Sequence, residues 1–323
     1  MNFKELFFIE KLAVICFFLL LIGAIVLGVL YVREERSYDK ISYTVNDTLP
    51  DGEGKSAKVI LLGGQSNASG CSKDEYLKEN VSAEKYEEYQ NGYDNVYINY
   101  FASSSNESRG FVKSGSKQGE AGGYFGPELG LAETLNELYP DETFFIIKWA
   151  WGGTNLFEQW LSPSSKGKTG DLYKHFVKYV EASMEYLVSK NYDVKIEGMC
   201  WMQGESDSFT EENATDYELN LNNFIADIRE RFEAYASDDG IAFVDAYIAA
   251  APTIWVHYDL VNESKQKVAD SSEINVVIDT VAEGLTRENE PAGSPDLAHY
   301  DSTSEVKLGN LFGEAVAKFF DKD

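Results

Sequence analysis

Histidine is the scarcest chemistry-bearing residue in this chain, with three among 323 residues. Any mechanism that needs an imidazole base must therefore draw on His175, His257 or His299. Cysteine is equally sparse. Cys16, Cys71 and Cys200 are too few for a zinc set, and the last two stay open to two readings, a disulfide or two separate thiols. Basic residues are in deficit: 28 Lys+Arg against 54 Asp+Glu give a net charge of −26. Without clustered cations to displace phosphate counterions, the chain is not a nucleic-acid binder. Seven prolines in a composition 44% hydrophobic and 14% aromatic exclude a disordered or collagen-like polymer. No internal repeat, low-complexity tract or G-x-S-x-G is present, so the usual nucleophile elbow of α/β-hydrolases is missing.

The apolar content is concentrated at one end. Residues 12–32, LAVICFFLLLIGAIVLGVLYV, run 21 residues without a charge. Such a run spans the ~30 Å hydrocarbon layer and exceeds the ~7–15 residues of a signal-peptide core. A short flank (1–11) followed by a transmembrane signal anchor (12–32) is expected, with a cleaved signal peptide and a secreted product as the alternative. The Lys/Arg count on the two sides nearly ties, so the signal-like form of the N-terminus is what places the C-terminal part outside the cell. Residues 33–56 are polar, contain Pro50, Gly52 and Gly54, and read as a linker. The first 40 residues hold five basic and five acidic side chains, so the whole −26 falls on residues 41–323. That charge disfavours polyanionic partners.

From residue 57 to 323, short apolar runs alternate with amphipathic stretches. Strands are expected at 58–63, 95–101, 143–150, 195–203, 241–248 and 274–280. Helices are expected at 128–139, 171–190, 213–236, 261–270 and 304–320; Leu172, Phe176, Val180, Met184 and Leu187 form the clearest stripe. The alternation predicts an α/β domain, a three-layer α/β/α sandwich around a central parallel sheet. Ligands of such sheets bind beyond the carboxyl ends of the strands.

Three strand ends carry unusual residues. After the first, Gly63-Gly64-Gln65-Ser66-Asn67 puts a serine at a strand-to-helix turn, where it caps a helix or serves as a nucleophile. After the third, Trp151-Gly152-Gly153-Thr154 brings bare backbone to a ligand or simply makes a turn. After the fourth, Gln203, Glu205 and Asp207 cluster, and the Gln203 amide is a cap or a donor to a developing oxyanion. Of the histidines, His175 lies on a helix face and His257 sits among aromatics, as packing or as a substrate contact. His299 follows Asp296 by three residues in a loop, a spacing that lets the carboxylate hold Nδ1 and leaves Nε2 to take a serine proton.

In this order, GQSN (64–67), WGGT (151–154), WMQGESD (201–207) and DLAHYD (296–301) resemble the blocks of SGNH (GDSL-like) hydrolases. The closest branch is the sialate O-acetylesterase-like one, which includes the sixth family of carbohydrate esterases and its acetylxylan esterases. The resemblance spans about residues 57–320, with lesser echoes at Gly126-Pro127-Glu128 and at Glu305 to Gly309. It implies a flavodoxin-like fold and a serine esterase that removes O-acetyl groups from carbohydrate through an acetyl-enzyme, with no cofactor and no metal. It further implies that Ser66 is the nucleophile, His299 the base and Asp296 its orienting carboxylate. The oxyanion donors would be the Ser66 and Gly153 N–H groups, Gly152 being the alternative glycine, and the Gln203 side chain. The wider superfamily has Asn at that last position and this branch has Gln. Gln65, Asn67, Gly152, Glu205, Asp207, Trp151 and His257 are then expected as supports or substrate contacts, and Trp149, Trp160, Trp201 and Trp255 as further candidate faces for pyranose rings. Two rival functions use the same scaffold: a carbohydrate O-acetyltransferase and a catalytically silent carbohydrate-binding protein.

Overall fold

A computed structural model describes residues 41–103 and 106–320. The expected span at 12–32 lies outside the described residues, and among the described residues no helix is long and apolar enough to cross a membrane. Tyr43–Asp323 forms one unit, so the linker expected over 33–56 ends earlier than its composition implies. Leu49 is buried, its N–H donates to the Tyr186 hydroxyl at 3.0 Å, and Gly52 N–H bonds Lys190 O at 2.6 Å. Polar composition conceals this packing because one apolar side chain and a few backbone bonds suffice to dock the segment.

The chain runs β1 (Ser56–Gly64), α1 (Ser66–Ser69), β2 (Ser72–Lys73), α2 (Asp74–Asn80), α3 (Ala83–Asn91), β3 (Val96–Ala102), β4 (Asn106–Glu107), β5 (Val112–Lys113), β6 (Tyr124–Phe125) and α4 (Glu128–Leu138). It continues through β7 (Phe144–Ala150), α5 (Asp171–Ser189), β8 (Asp193–Met202), α6 (Glu211–Arg231), β9 (Ala242–Ala246), α7 (Tyr258–Asp270), β10 (Asn275–Ile278) and α8 (Ser302–Val316). One sheet has the order β10-β9-β8-β1-β7-β3-β4, and β5 also pairs with β3. Its six longer strands are parallel, whereas β4 and β5 run antiparallel to β3. A separate antiparallel ribbon joins β2 and β6. Two-residue strands carry no readable periodicity, which is why only the six long ones are legible in the sequence.

β1 lies between β7 and β8, and the chain crosses over it after β7. The carboxyl end of β1 is thus the point where the winding reverses, the usual ligand position in open α/β sheets. Burial on both faces explains the near-continuous apolar strands: all seven residues of β7, FFIIKWA, are buried. Successive strand residues point to opposite faces. Lys148 reaches Glu128 of α4 on one side, and on the other Trp149 stacks on His175 of α5 with centroids 6.1 Å apart. Helices therefore cover both faces of this sheet. α6 begins where Thr210 caps Asn213 N–H, with Glu211 and Glu212 in its first turn and Arg229 and Arg231 in its last, each sign complementing the helix dipole.

Candidate active site

Ser66 is the first residue after the β1 turn. Gly64 makes that turn with φ +138°, and a Cβ there would stand 2.0 Å from Met202 O, so only glycine lets β1 and β8 approach so closely. The turn is closed by Gln65 N–H on Met202 O at 2.9 Å. Ser66 then opens α1 as its first residue, where its own backbone N–H has no intrahelical acceptor.

His299 comes from a long segment without helix or strand between β10 and α8. Polar contacts hold it in place. Buried Asp301 accepts from the N–H groups of Asn289 and Glu290 at 3.1 and 2.9 Å and from the Thr286 hydroxyl at 2.6 Å. Glu290 O in turn holds Asp296 N–H at 2.9 Å. At the tip, His299 Nδ1 lies 2.7 Å from Asp296 Oδ2. Burial pushes the Asp296 carboxyl up, but its bonds from His299 and from Ala298 N–H outweigh that and hold it below the usual carboxylate range.

Asn67 ties the serine turn to the histidine loop. Its Nδ2 donates to Glu205 Oε1 at 2.8 Å and to Ala298 O at 3.5 Å, and its Oδ1 accepts Tyr300 N–H at 3.3 Å. Ser72 Oγ holds Tyr300 O from the other side at 2.7 Å. Both neighbours of His299 are thereby fastened to the β1 turn. Burial pushes the Glu205 carboxyl up, opposed by the Asn67 bond and by the nearby Lys265 and His299. Glu205 Oε2 is buried without a hydrogen-bond partner among the described residues.

Ser66, His299 and Asp296 line one cavity of about 600 Å³ together with Gln65, Gly152, Gly153 and Glu205. Gly152 N–H is spent on Ser103 Oγ at 3.1 Å. The N–H groups of Ser66 and Gly153 have no protein acceptor among the described residues, which leaves Gly153 as the glycine able to donate into the cavity. Gln203 is placed differently from the sequence expectation. It is fully buried, is not part of the cavity lining, and its Nε2 is spent on Asp207 Oδ2 (2.6 Å), Thr154 O (3.0 Å) and Gln65 Oε1 (3.2 Å). Tyr217 donates to its Oε1 at 3.0 Å. Gln203 thus fixes Gln65 from behind.

Asp207, pushed up to about 6 by burial, accepts the N–H groups of Leu156 and Phe157 as well as the Gln203 amide. It anchors the segment after WGGT and does not line the cavity. Trp151 and His257 also stay outside the lining. Trp151 stacks on Phe101, and His257 N–H bonds Ser208 O at the start of α7. Of the remaining tryptophans, Trp149, Trp160 and Trp201 are fully buried in one aromatic cluster, and only Trp255 faces the cavity.

Cys71, weighed in the sequence only as a disulfide or a thiol, and Glu120, Tyr124, Ser206 and Phe209, not singled out there, complete much of the wall. Glu120 lies in a polar glycine-rich loop with no periodic signal, and Phe209 in a three-residue 3-10 turn. Cys71 and Cys200 are free thiols; burial pushes both well up, and Cys71 donates to Glu120 at 2.9 Å. Among the described residues no three His, Cys, Asp or Glu side chains are grouped to hold a metal ion.

The arrangement offers a serine, an imidazole oriented by a carboxylate, and two N–H donors at the carboxyl end of a central strand. The chain matches the family model described as "Carbohydrate esterase, sialic acid-specific acetylesterase" over residues 56–318. A search of curated proteins finds no significant match. Among solved structures, a protein of Arabidopsis thaliana aligns at 18% identity with TM-score 0.60, covering 84% of this chain and 100% of that one. NanS aligns at 17% identity with TM-score 0.57, covering 84% and 99%. At such identities these two likenesses speak for the fold, a mixed α/β architecture around a mainly parallel sheet.

Proposed function

Because the chain belongs to the carbohydrate-esterase family of sialic acid-specific acetylesterases, and is accordingly a carboxylic ester hydrolase, we propose that it removes O-acetyl groups from carbohydrate through an acetyl-Ser66 intermediate. The observation that carries this reading is Ser66 and the 2.7 Å His299–Asp296 pair facing one cavity. The parallel sheet with helices on both faces supports the finer description, a flavodoxin-like three-layer SGNH hydrolase.

Asp296 holds the proton of His299 on Nδ1, which leaves Nε2 as the base. Ser66 Oγ attacks the ester carbonyl as its proton passes to Nε2. The tetrahedral oxygen meets the N–H groups of Ser66 and Gly153, donors already in place before charge develops. Collapse breaks the bond to the sugar oxygen, which takes the proton back from Nε2. Water then attacks the acetyl-enzyme as its proton passes to Nε2. Collapse breaks the bond to Ser66 Oγ, which takes that proton back from Nε2, releasing acetate and restoring the Ser66 hydroxyl and the neutral imidazole. Gln203, locked to Asp207 and Thr154, acts by fixing the Gln65 side chain beside Ser66. Residues 12–32 anchor the enzyme in the cell membrane with the catalytic unit outside.

Acetate release from acetylated xylo-oligosaccharide, O-acetyl sialic acid and acetylated peptidoglycan fragments tests the activity. The full chain is expected to release acetate from at least one of them and Ser66→Ala from none. Equal release by the two proteins refutes the reading. Protease shaving of intact cells tests the topology: the catalytic unit is expected to be cut, and full protection would overturn its placement outside.

A further inference from the structure

Glu120 faces the same cavity and takes no part in the acyl transfer. Its N–H donates to Gly70 O at 2.8 Å, and its carboxylate accepts from Ser69 Oγ at 3.2 Å and Cys71 Sγ at 2.9 Å. These bonds fix the carboxylate in the wall of the cavity that Ser66 also lines. A Cβ placed on Gly152 would stand 3.3 Å from Glu120 Oε2 and 3.5 Å from Ser66 Cβ, so the acid and the serine flank one bare glycine whose missing side chain leaves room for substrate.

The charges around that space have one sign. Glu120, Glu205 and Asp296 line the cavity, and no lysine or arginine does. Lys148 and Lys265 are fully buried in pairs with Glu128 and Asp245, both at 2.6 Å. Arg287 lies over the Trp255 ring and donates to Leu297 O. Residues 41–323 add a field from 23 basic against 49 acidic side chains. A substrate carboxylate entering here meets like charge without a cation to pair with. A sugar hydroxyl meets a carboxylate ready to accept a charge-assisted hydrogen bond.

We infer that Glu120 is a specificity-determining residue of this cavity: it accepts a hydroxyl of an uncharged O-acetylated sugar and turns away a sugar whose carboxylate lies on the acetylated ring, as in a uronic acid. The inference rests on the esterase reading of the same cavity. Discrimination of this kind comes as much from repulsion of the wrong ligand as from attraction of the right one.

The test uses the full chain and a matched pair, an O-acetylated methyl glucoside and the corresponding O-acetylated methyl glucuronide, which differ by one carboxylate. Wild type is expected to favour the glucoside in kcat/KM by about tenfold or more, the scale of one close like-charge contact in a partly screened site. Glu120→Gln should shrink that preference by about tenfold, and Glu120→Asp should keep it. Raising ionic strength from about 0.01 M to about 0.5 M should narrow the wild-type preference and leave that of Glu120→Gln nearly unchanged. Equal turnover of the two esters by wild type, or the same preference in Glu120→Gln, overturns the inference. Should Glu120→Gln fail to fold, the salt response of wild type still decides, since a preference insensitive to salt also overturns it. Failure of wild type to release acetate from either ester counts against the esterase reading instead.

Discussion

Replacing Asn67 with alanine should separate the positioning of His299 from its chemistry. Asn67 is buried and holds both neighbours of His299, through Ala298 O and Tyr300 N–H, while donating to Glu205 Oε1 at 2.8 Å. Its removal leaves the Glu205 carboxylate with no side-chain donor, because Oε2 already has no partner among the described residues, and leaves Tyr300 N–H without its acceptor. Two stranded buried groups at about 1–3 kcal/mol each predict a stability loss of about 2–6 kcal/mol. The loosened loop predicts a fall in kcat of about 100-fold, the scale of a 1 Å misplacement of a reacting group. Asn67→Asp retains the acceptor for Tyr300 N–H but sets a second carboxylate against Glu205. It should therefore recover part of kcat as pH falls and the pair comes to share a proton. The assay is kcat and KM for p-nitrophenyl acetate across pH, with thermal melting on the same samples. A folded Asn67→Ala with lowered melting temperature and undiminished kcat would show that Asn67 only packs, and would refute its role in placing the base.

Three further outcomes are expected from the same geometry. Lys148→Met should cost about 3–5 kcal/mol in urea unfolding, because it strands Glu128 as an unpaired charge in a site where Lys148 Nζ also holds Ser69 O and Gln118 O; a loss under about 1 kcal/mol would contradict this. Phe209 lines the cavity yet is 56% exposed, so Phe209→Ala should raise KM for an acetylated sugar while leaving KM for p-nitrophenyl acetate alone, and an equal change in both would refute a sugar contact. Burial pushes Asp207 and Asp245 up to about 6. Both then bind protons more tightly folded than unfolded, so their cost to stability is full above about pH 6 and fades as pH falls toward about 4. Asp296, held below its ordinary value, acts only beneath that window. The urea midpoint should accordingly be higher at about pH 5 than at about pH 7, and the reverse order would count against costly burial of these carboxyls.

The long parallel strands were legible because burial on both faces leaves an unbroken apolar run, as in TFFIIKWA, and α5 because its apolar stripe recurs at helical spacing. Ser66, Asp296 and His299 stood out because glycine turns and a D-x-x-H spacing leave local marks. Glu120, Phe209 and Lys148 left none. Glu120 comes to Ser66 through a glycine-rich loop fastened by backbone bonds, and Lys148 hides its charge in an apolar strand because its partner Glu128 lies on a helix placed there only by the tertiary fold. Gln203 shows the opposite limit. Its position in a motif suggested a donor facing substrate, but the buried Asp207 carboxylate, which the sequence places only four residues on, takes the amide at 2.6 Å.

The account stands or falls on a covalent intermediate at Ser66. Reaction of the full chain with a serine-directed fluorophosphonate, read by intact mass and peptide mapping, tests it most directly. One adduct per chain on the Ser66 peptide, formed much more slowly in His299→Ala, is the result predicted. An adduct on another residue, or acetate release by protein that takes up no label, would contradict it.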